Sequence, residues 1–202
     1  MENFEKYLLV EETDEEVFQK YIEDLKLSPE DFNKKILDDG AGSAKFAKWA
    51  KEHGVSKEIF SLEPRSGIIE EKDQSVCAQA ETMPFRDESF DLVISDAAIP
   101  NIYIKKDDTN EKVTNSFNEM LRVLKLGGEV RLARVLIGKE YESQMSLAKS
   151  ITEVLDNLEK TGDFEIEKIR TPSDDTYEYV NHDPVKVLAE SYLIIIRKIK
   201  ES

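Results

Sequence analysis

The chain has 202 residues, of which 28 are Lys or Arg and 43 are Asp or Glu, so its formal charge is −15. With 40% hydrophobic and 35% charged residues it has the make-up of a globular protein, long enough to bury roughly 70% of its unfolded surface. The acidity argues against a nucleic-acid partner, the lone Cys77 excludes an intramolecular disulfide, and no apolar run reaches the ~18 residues of a membrane helix. A cytoplasmic protein with no metal centre and no membrane partner is the expectation.

Residues 1–34 read as a helical lead, and residues 35–202 as the main domain. Within the lead, Val17, Tyr21, Ile22 and Leu25 fall on one helical face, and Ser28-Pro29 starts a second helix. The acidic run Glu11–Glu16 reads as a solvated face. A first short strand at 35–38 leads into the turn Asp39-Gly40-Ala41-Gly42-Ser43, then a helix spans Ala44–His53 and stops at Gly54. Strands follow at Glu58–Leu62, Ser75–Ala78 and Asp91–Ser95. A helix covers Asn115–Leu124 and ends at Gly127-Gly128, with a fifth strand at Glu129–Leu136. A long helix covers Tyr141–Leu158, with Met145, Ala148, Ile151 and Leu155 on its apolar stripe. Two last strands, Phe164–Ile169 and Leu188–Arg197, flank a polar loop at 171–184. Strands alternating with helices give an α/β fold: a three-layer sandwich around a mostly parallel seven-stranded sheet, with a C-terminal antiparallel hairpin at one edge.

Ligands of such sheets bind beyond the carboxyl ends of the strands. Gly40 and Gly42 permit a tight turn and close backbone approach, and the next helix offers free N–H groups. Glu63 ends the second strand about 23 residues after Gly40, where a carboxylate can accept hydrogen bonds from both ribose hydroxyls. A dinucleotide site would want a third glycine where Lys45 stands, which counts against a nucleotide-dependent oxidoreductase. No phosphate-binding P-loop occurs.

These segments resemble the class I S-adenosylmethionine-dependent methyltransferases, of the methyltransferase type 11 kind, with a Rossmann-like fold. Ile36-Leu37-Asp38-Asp39-Gly40-Ala41-Gly42-Ser43 is similar to the family's first motif, and Leu62-Glu63-Pro64 to the acidic end of its second strand. Residues 78–93 are similar to the segment around the adenine, and residues 119–128 to the helix and Gly-Gly turn before strand five. The resemblance implies S-adenosylmethionine as cofactor. It places Asp38, Gly40, Ala41 and Gly42 at the methionine part, Glu63 at the ribose, Gln79 and Ala80 at the adenine, and Ser95 by the sulfonium. Asp96 becomes the candidate catalytic or acceptor-orienting carboxylate, and Asn101 and Tyr103 candidates for the acceptor pocket. The acceptor implied is a small molecule. Ala44, Gln79 and Leu126 depart from the family's glycine, aspartate and proline, so a cofactor-binding protein without catalysis, serving as a partner or regulatory subunit, stays open beside the enzyme. Methyl transfer from a sulfonium is a direct displacement served by positioning and desolvation, so no triad or metal cluster is required. His53 reads as a helix-end residue, His182 as a solvated loop residue and Trp49 as packing.

Overall fold

A computed structural model describes residues 12–68, 74–103, 109–138, 142–172, 176–180, 183–187 and 189–200. Helix α1 (Asp14–Leu25) starts at a capping box in which Thr13 and Glu16 satisfy each other's backbone N–H, so one acid of the solvated run is a cap. The helix buries Phe18, Tyr21 and Leu25 and ends on Lys26 in the left-handed conformation. A 3₁₀ turn, Pro29–Asn33, follows, with the Ser28 N–H and hydroxyl both donating to Asp31.

The main sheet holds β1 (Ile36–Asp39), β2 (Ile59–Leu62), β3 (Ser75–Val76), β4 (Phe90–Asp96), β5 (Leu124–Gly138), β6 (Phe164–Thr171) and β9 (Ala189–Lys198). Their order is β3-β2-β1-β4-β5-β9-β6. β1 to β5 pair in parallel, whereas β9 runs antiparallel to both β5 and β6. This is the expected Rossmann-like sheet with its C-terminal hairpin, β9 lying inside and β6 at the edge. The region expected to be a polar loop instead carries β7 (Thr176–Val180) and β8 (Asp183–Val187), a separate antiparallel pair. There Tyr177, Tyr179, Val185 and Val187 alternate with Glu178 and Lys186, a period-two pattern that the surrounding polar residues mask.

Helices α2 (Lys45–Glu52), α3 (Thr109–Val123) and α4 (Glu142–Thr161) complete the three layers. Alternation along the strands divides the core. Ile36, Leu92 and Ile94 join Phe18, Leu25 and Phe46 on the side of α1 and α2. Leu37, Val93 and Leu132 join Phe117, Met120, Leu147 and Ile151 on the side of α3 and α4. Trp49 stacks on Phe18, a packing residue as expected, and His53 is the exposed C-cap of α2, the expected helix-end position, with its ring against Trp49. Cys77 lies just past β3, half-buried, with its thiol donating to the Pro64 carbonyl.

Two of the motif segments are tied directly to each other. The Arg122 guanidinium donates to the carbonyls of Met83 and Phe85 and to Asp87 and Glu119, while Glu119 accepts from the Met83 N–H. The stretch that edges the crevice is thereby bolted onto α3.

Candidate active site

The strand order reverses between β1 and β4, so the crevice of this sheet opens at their carboxyl ends. Gly40 stands there at φ +84°, donating its N–H to the Leu62 carbonyl. A Cβ at this position would lie 2.3 Å from that of Ala98, so the close approach and the backbone conformation both require glycine. Ala44, at the family's third glycine, also has positive φ, and it leaves the N-terminus of α2 with no side-chain cap.

Because side chains alternate, the two acids of β1 face opposite ways. Asp38 points toward α1, where the Tyr21 hydroxyl donates to it at 3.4 Å. Asp39 points to the other face, and its backbone carbonyl accepts from the Ser95 hydroxyl at 2.7 Å. Each carboxyl is buried and keeps an oxygen without a hydrogen-bond partner. Burial, then Asp96 and Asp39, raises Asp38 well above the carboxylate range. Burial, with Glu81 and Glu63 nearby, pushes Asp39 up to about 8.

A cavity lies on each side of the Gly40 tip. One, of about 330 Å³, is lined by Asp39, Glu63, Ala80, Glu81, Ile99 and Ile102. The other, of about 320 Å³, is lined by Tyr21, Ala41, Gly42, Lys45, Asp96 and Arg134. Gly40 borders both. Glu63 is buried and accepts from the Gly42 N–H through one oxygen and from Arg65 through the other. Burial pushes its carboxyl up, but the Arg65 and Gly42 bonds outweigh this and hold it below the usual range.

Asp96 is held in a bidentate pair with Arg134 at 2.7 and 2.6 Å. Arg134 occupies a β-bulge at φ +52°, where the β5–β9 register shifts between Leu132 and Val135. Leu132 and Val135 both face the α3–α4 core with two residues between them instead of one. The extra residue turns Arg134 toward α1, where Asp24 lies 3.1 Å from its Nε. Asp96 is thus committed to a guanidinium.

The other sequence-derived candidates divide. Gly40, Ala41, Gly42, Glu63, Ala80 and Asp96 come together around the two cavities. The Ser95 hydroxyl is engaged within the protein, donating to the Asp39 carbonyl and accepting from the Ile99 N–H. The Asn101 side chain donates to the Arg134 carbonyl and accepts from the Leu136 N–H, fastening the loop after β4 to the bulge. Tyr103 is buried in the core, and Gln79 is exposed beside the crevice. His182 lies outside the described residues. Sequence reasoning passed over Asp39, Glu81 and Arg134. A charged residue at the last position of a buried strand was the available signal for Asp39; the bulge that places Arg134 leaves none.

The residues present fit an elongated ligand with a cationic centre. Asp39 and Glu63 line one cavity beside Gly40 and Asp96 lines the other, and a cation held there offsets part of the cost that burial places on charged carboxylates. Residues 37–132 match the family model of a methyltransferase domain. Among solved structures, the chain is similar to the YcgJ protein from Bacillus subtilis, at 15% identity and TM-score 0.59, over 89% of this chain and 99% of that one. It is also similar to a SAM-dependent methyltransferase from Methanosarcina mazei, at 17% identity and TM-score 0.54, over 87% and 99% of the two chains. No protein of curated function matches it.

Proposed function

We propose that the S-adenosylmethionine-dependent methyltransferase domain carried by residues 37–132 transfers a methyl group to a small-molecule acceptor. The observation that carries this is the pair of cavities meeting at Gly40 beyond the end of β1, one lined by the buried acids Asp39 and Glu63 and the other by Asp96 and Arg134. Bound S-adenosylmethionine supplies an electrophilic methyl on a sulfonium.

The roles of the chain's own residues follow from where each lies: Gly40, Ala41, Gly42, Glu63, Ala80 and Asp96 line the two cavities, and the others act from beside or behind them. Glu63 accepts from the ribose hydroxyls through lone pairs left after its bonds to Gly42 and Arg65. Ala80, with Ile99 and Ile102, gives the adenine an apolar slot, and the exposed Gln79 closes its rim. Gly40, Ala41 and Gly42 let the methionine part lie against the backbone. Asp38 acts from behind, accepting from the hydroxyl of Tyr21, which lines the second cavity. Ser95 acts by tying the tip of β1 to the loop after β4, which keeps Gly40 and Ala98 in register. Asp96 orients Arg134 at the mouth of the second cavity through a bidentate pair. Asn101 ties the loop after β4 to the bulge that carries Arg134, and Tyr103 packs in the core behind that loop, so both act on the pocket by holding the loop in place. Catalysis then rests on positioning and on exclusion of water.

Isothermal titration with S-adenosylmethionine tests this reading. Saturable binding is expected, weakened by about 1–3 kcal/mol in Glu63→Ala. No heat sinks the proposal. Formation of S-adenosylhomocysteine with a panel of metabolites separates an enzyme from a binding protein without catalysis.

A further inference from the structure

We infer that Asp39 is the charge-sensing residue of this site: its carboxyl gives up a proton when S-adenosylmethionine binds and keeps it when S-adenosylhomocysteine binds. One proton then separates cofactor from product. The inference rests on the cofactor reading above and deepens it. Asp39 ends β1 directly before Gly40, and it lines the cavity shared with Glu63 and Glu81. The residue is 2% exposed, and one oxygen of its carboxyl has no hydrogen-bond partner among the described residues. Buried polar groups are seldom left so, which marks this carboxyl as one whose partner arrives from outside.

Among the described residues, the groups that face it are acidic or neutral. Glu63 ends the β2 side of the cavity, Glu81 lies in the turn after β3, and the one base of the lining, Arg65, is bound to Glu63. Tyr103, in the short turn after β4, is a neutral phenol that Asp39 and Glu81 hold protonated. The Ser95 hydroxyl donates to the Asp39 backbone carbonyl, Ser116 of α3 donates to the Val113 carbonyl, and Asp38 lies on the other face of β1. With burial and two acids pushing it up to about 8, Asp39 is a neutral acid in the free protein at pH 7. The two ligands differ by one methyl group and one positive charge. Both displace water from the cavity, which further disfavours a charged carboxyl. Only the sulfonium, carried at the Gly40 tip where the two cavities meet, offsets that with an opposite charge and favours the carboxylate. The proton then passes to solvent. After methyl transfer the carboxyl faces a neutral sulfur and recovers a proton from solvent, so raising the pH favours release of the product.

Calorimetric titration of the full chain at pH 7, in two buffers of different ionisation enthalpy, counts these protons. S-adenosylmethionine should release about one proton more from the wild-type chain than from Asp39→Asn, whose amide keeps the shape of the neutral acid. The amine of the ligand titrates alike in both proteins and cancels. S-adenosylhomocysteine should release equal numbers from both. A second measurement needs no variant: from pH 6 to pH 7.5 the wild-type affinity for S-adenosylmethionine should rise roughly fivefold or more, while that for S-adenosylhomocysteine stays within about twofold. Equal proton release from the two proteins on binding S-adenosylmethionine overturns the inference and leaves the cofactor reading intact. A parallel pH course for the two ligands does the same. Absence of saturable S-adenosylmethionine binding sinks the cofactor reading, and this inference with it.

Discussion

Two buried clusters of charge in this protein are built on opposite terms. Near the amino end of β5, Arg131 donates to both oxygens of Asp31, to Glu129 and to the carbonyls of Leu25 and Lys26. Glu129 in turn accepts from Arg197. Every charge there has a partner, and the cluster fastens the end of α1 to the sheet. At the carboxyl ends of the strands, Asp38 and Asp39 are equally buried, yet each keeps an oxygen unsatisfied. The difference separates architecture from function. A saturated ionic cluster has nothing left to offer a ligand, whereas an unsaturated one is costly until something binds.

The widest gap between the clusters should emerge when each loses an acid. Asp31→Ala takes one of the two carboxylates from the buried Arg131 guanidinium and should cost about 3 kcal/mol in chemical denaturation. Burial raises the Asp31 carboxyl, but its bonds to Lys34, Ser28 and Arg131 outweigh this and hold it down to about 2. Its contribution is therefore complete above the unfolded value near 3.8 and disappears as pH falls through about 2. A loss below 0.5 kcal/mol at pH 7 would show that the cluster is not holding α1.

Asp39→Leu should move stability the other way, upward by about 2 kcal/mol at pH 8, while weakening S-adenosylmethionine binding. The folded acid keeps its proton to about 8, whereas the unfolded chain releases it near 3.8. Wild-type stability therefore falls as pH rises across that window, and the advantage of the variant should grow from pH 4 to pH 8. A gain independent of pH would mean that Asp39 is ionised throughout.

Asp96 and Arg134 lie between these extremes, as a satisfied pair placed at the unsatisfied end. Asp96→Ala and Arg134→Ala should each weaken S-adenosylhomocysteine binding, and a double-mutant cycle should give a coupling of about 1–2 kcal/mol. Additive losses would show two independent contacts. The smallest expected effect is at Ala44, whose left-handed φ glycine adopts freely. Ala44→Gly should stabilise by about 1 kcal/mol in thermal unfolding.

Much of the fold was legible from local pattern. The helices and strands of the main sheet follow from apolar spacing, and the Gly40-Ala41-Gly42 turn marks the crevice before any coordinates are known. The β7–β8 hairpin was not legible, because its alternation is interrupted by polar residues. At the site, the positions of Glu63 and the glycines at strand ends were readable from the sequence. The state of Asp96 was not readable. A carboxylate after a strand looks alike whether free or paired, and its partner lies 38 residues away on a bulge.

The opening balance of 43 acids against 28 bases says little about partners until the acids are sorted by what they touch. Sequence alone determined the α/β alternation, the glycine turn and the methyltransferase resemblance, because these rest on spacing within a few residues. Only the tertiary structure decided which buried acids are spent and which are available. Hydrogen-bond satisfaction depends on groups brought together across the sheet, up to 100 residues apart in the Asp31–Arg131 pair, and on a single bulge that reverses where Arg134 points.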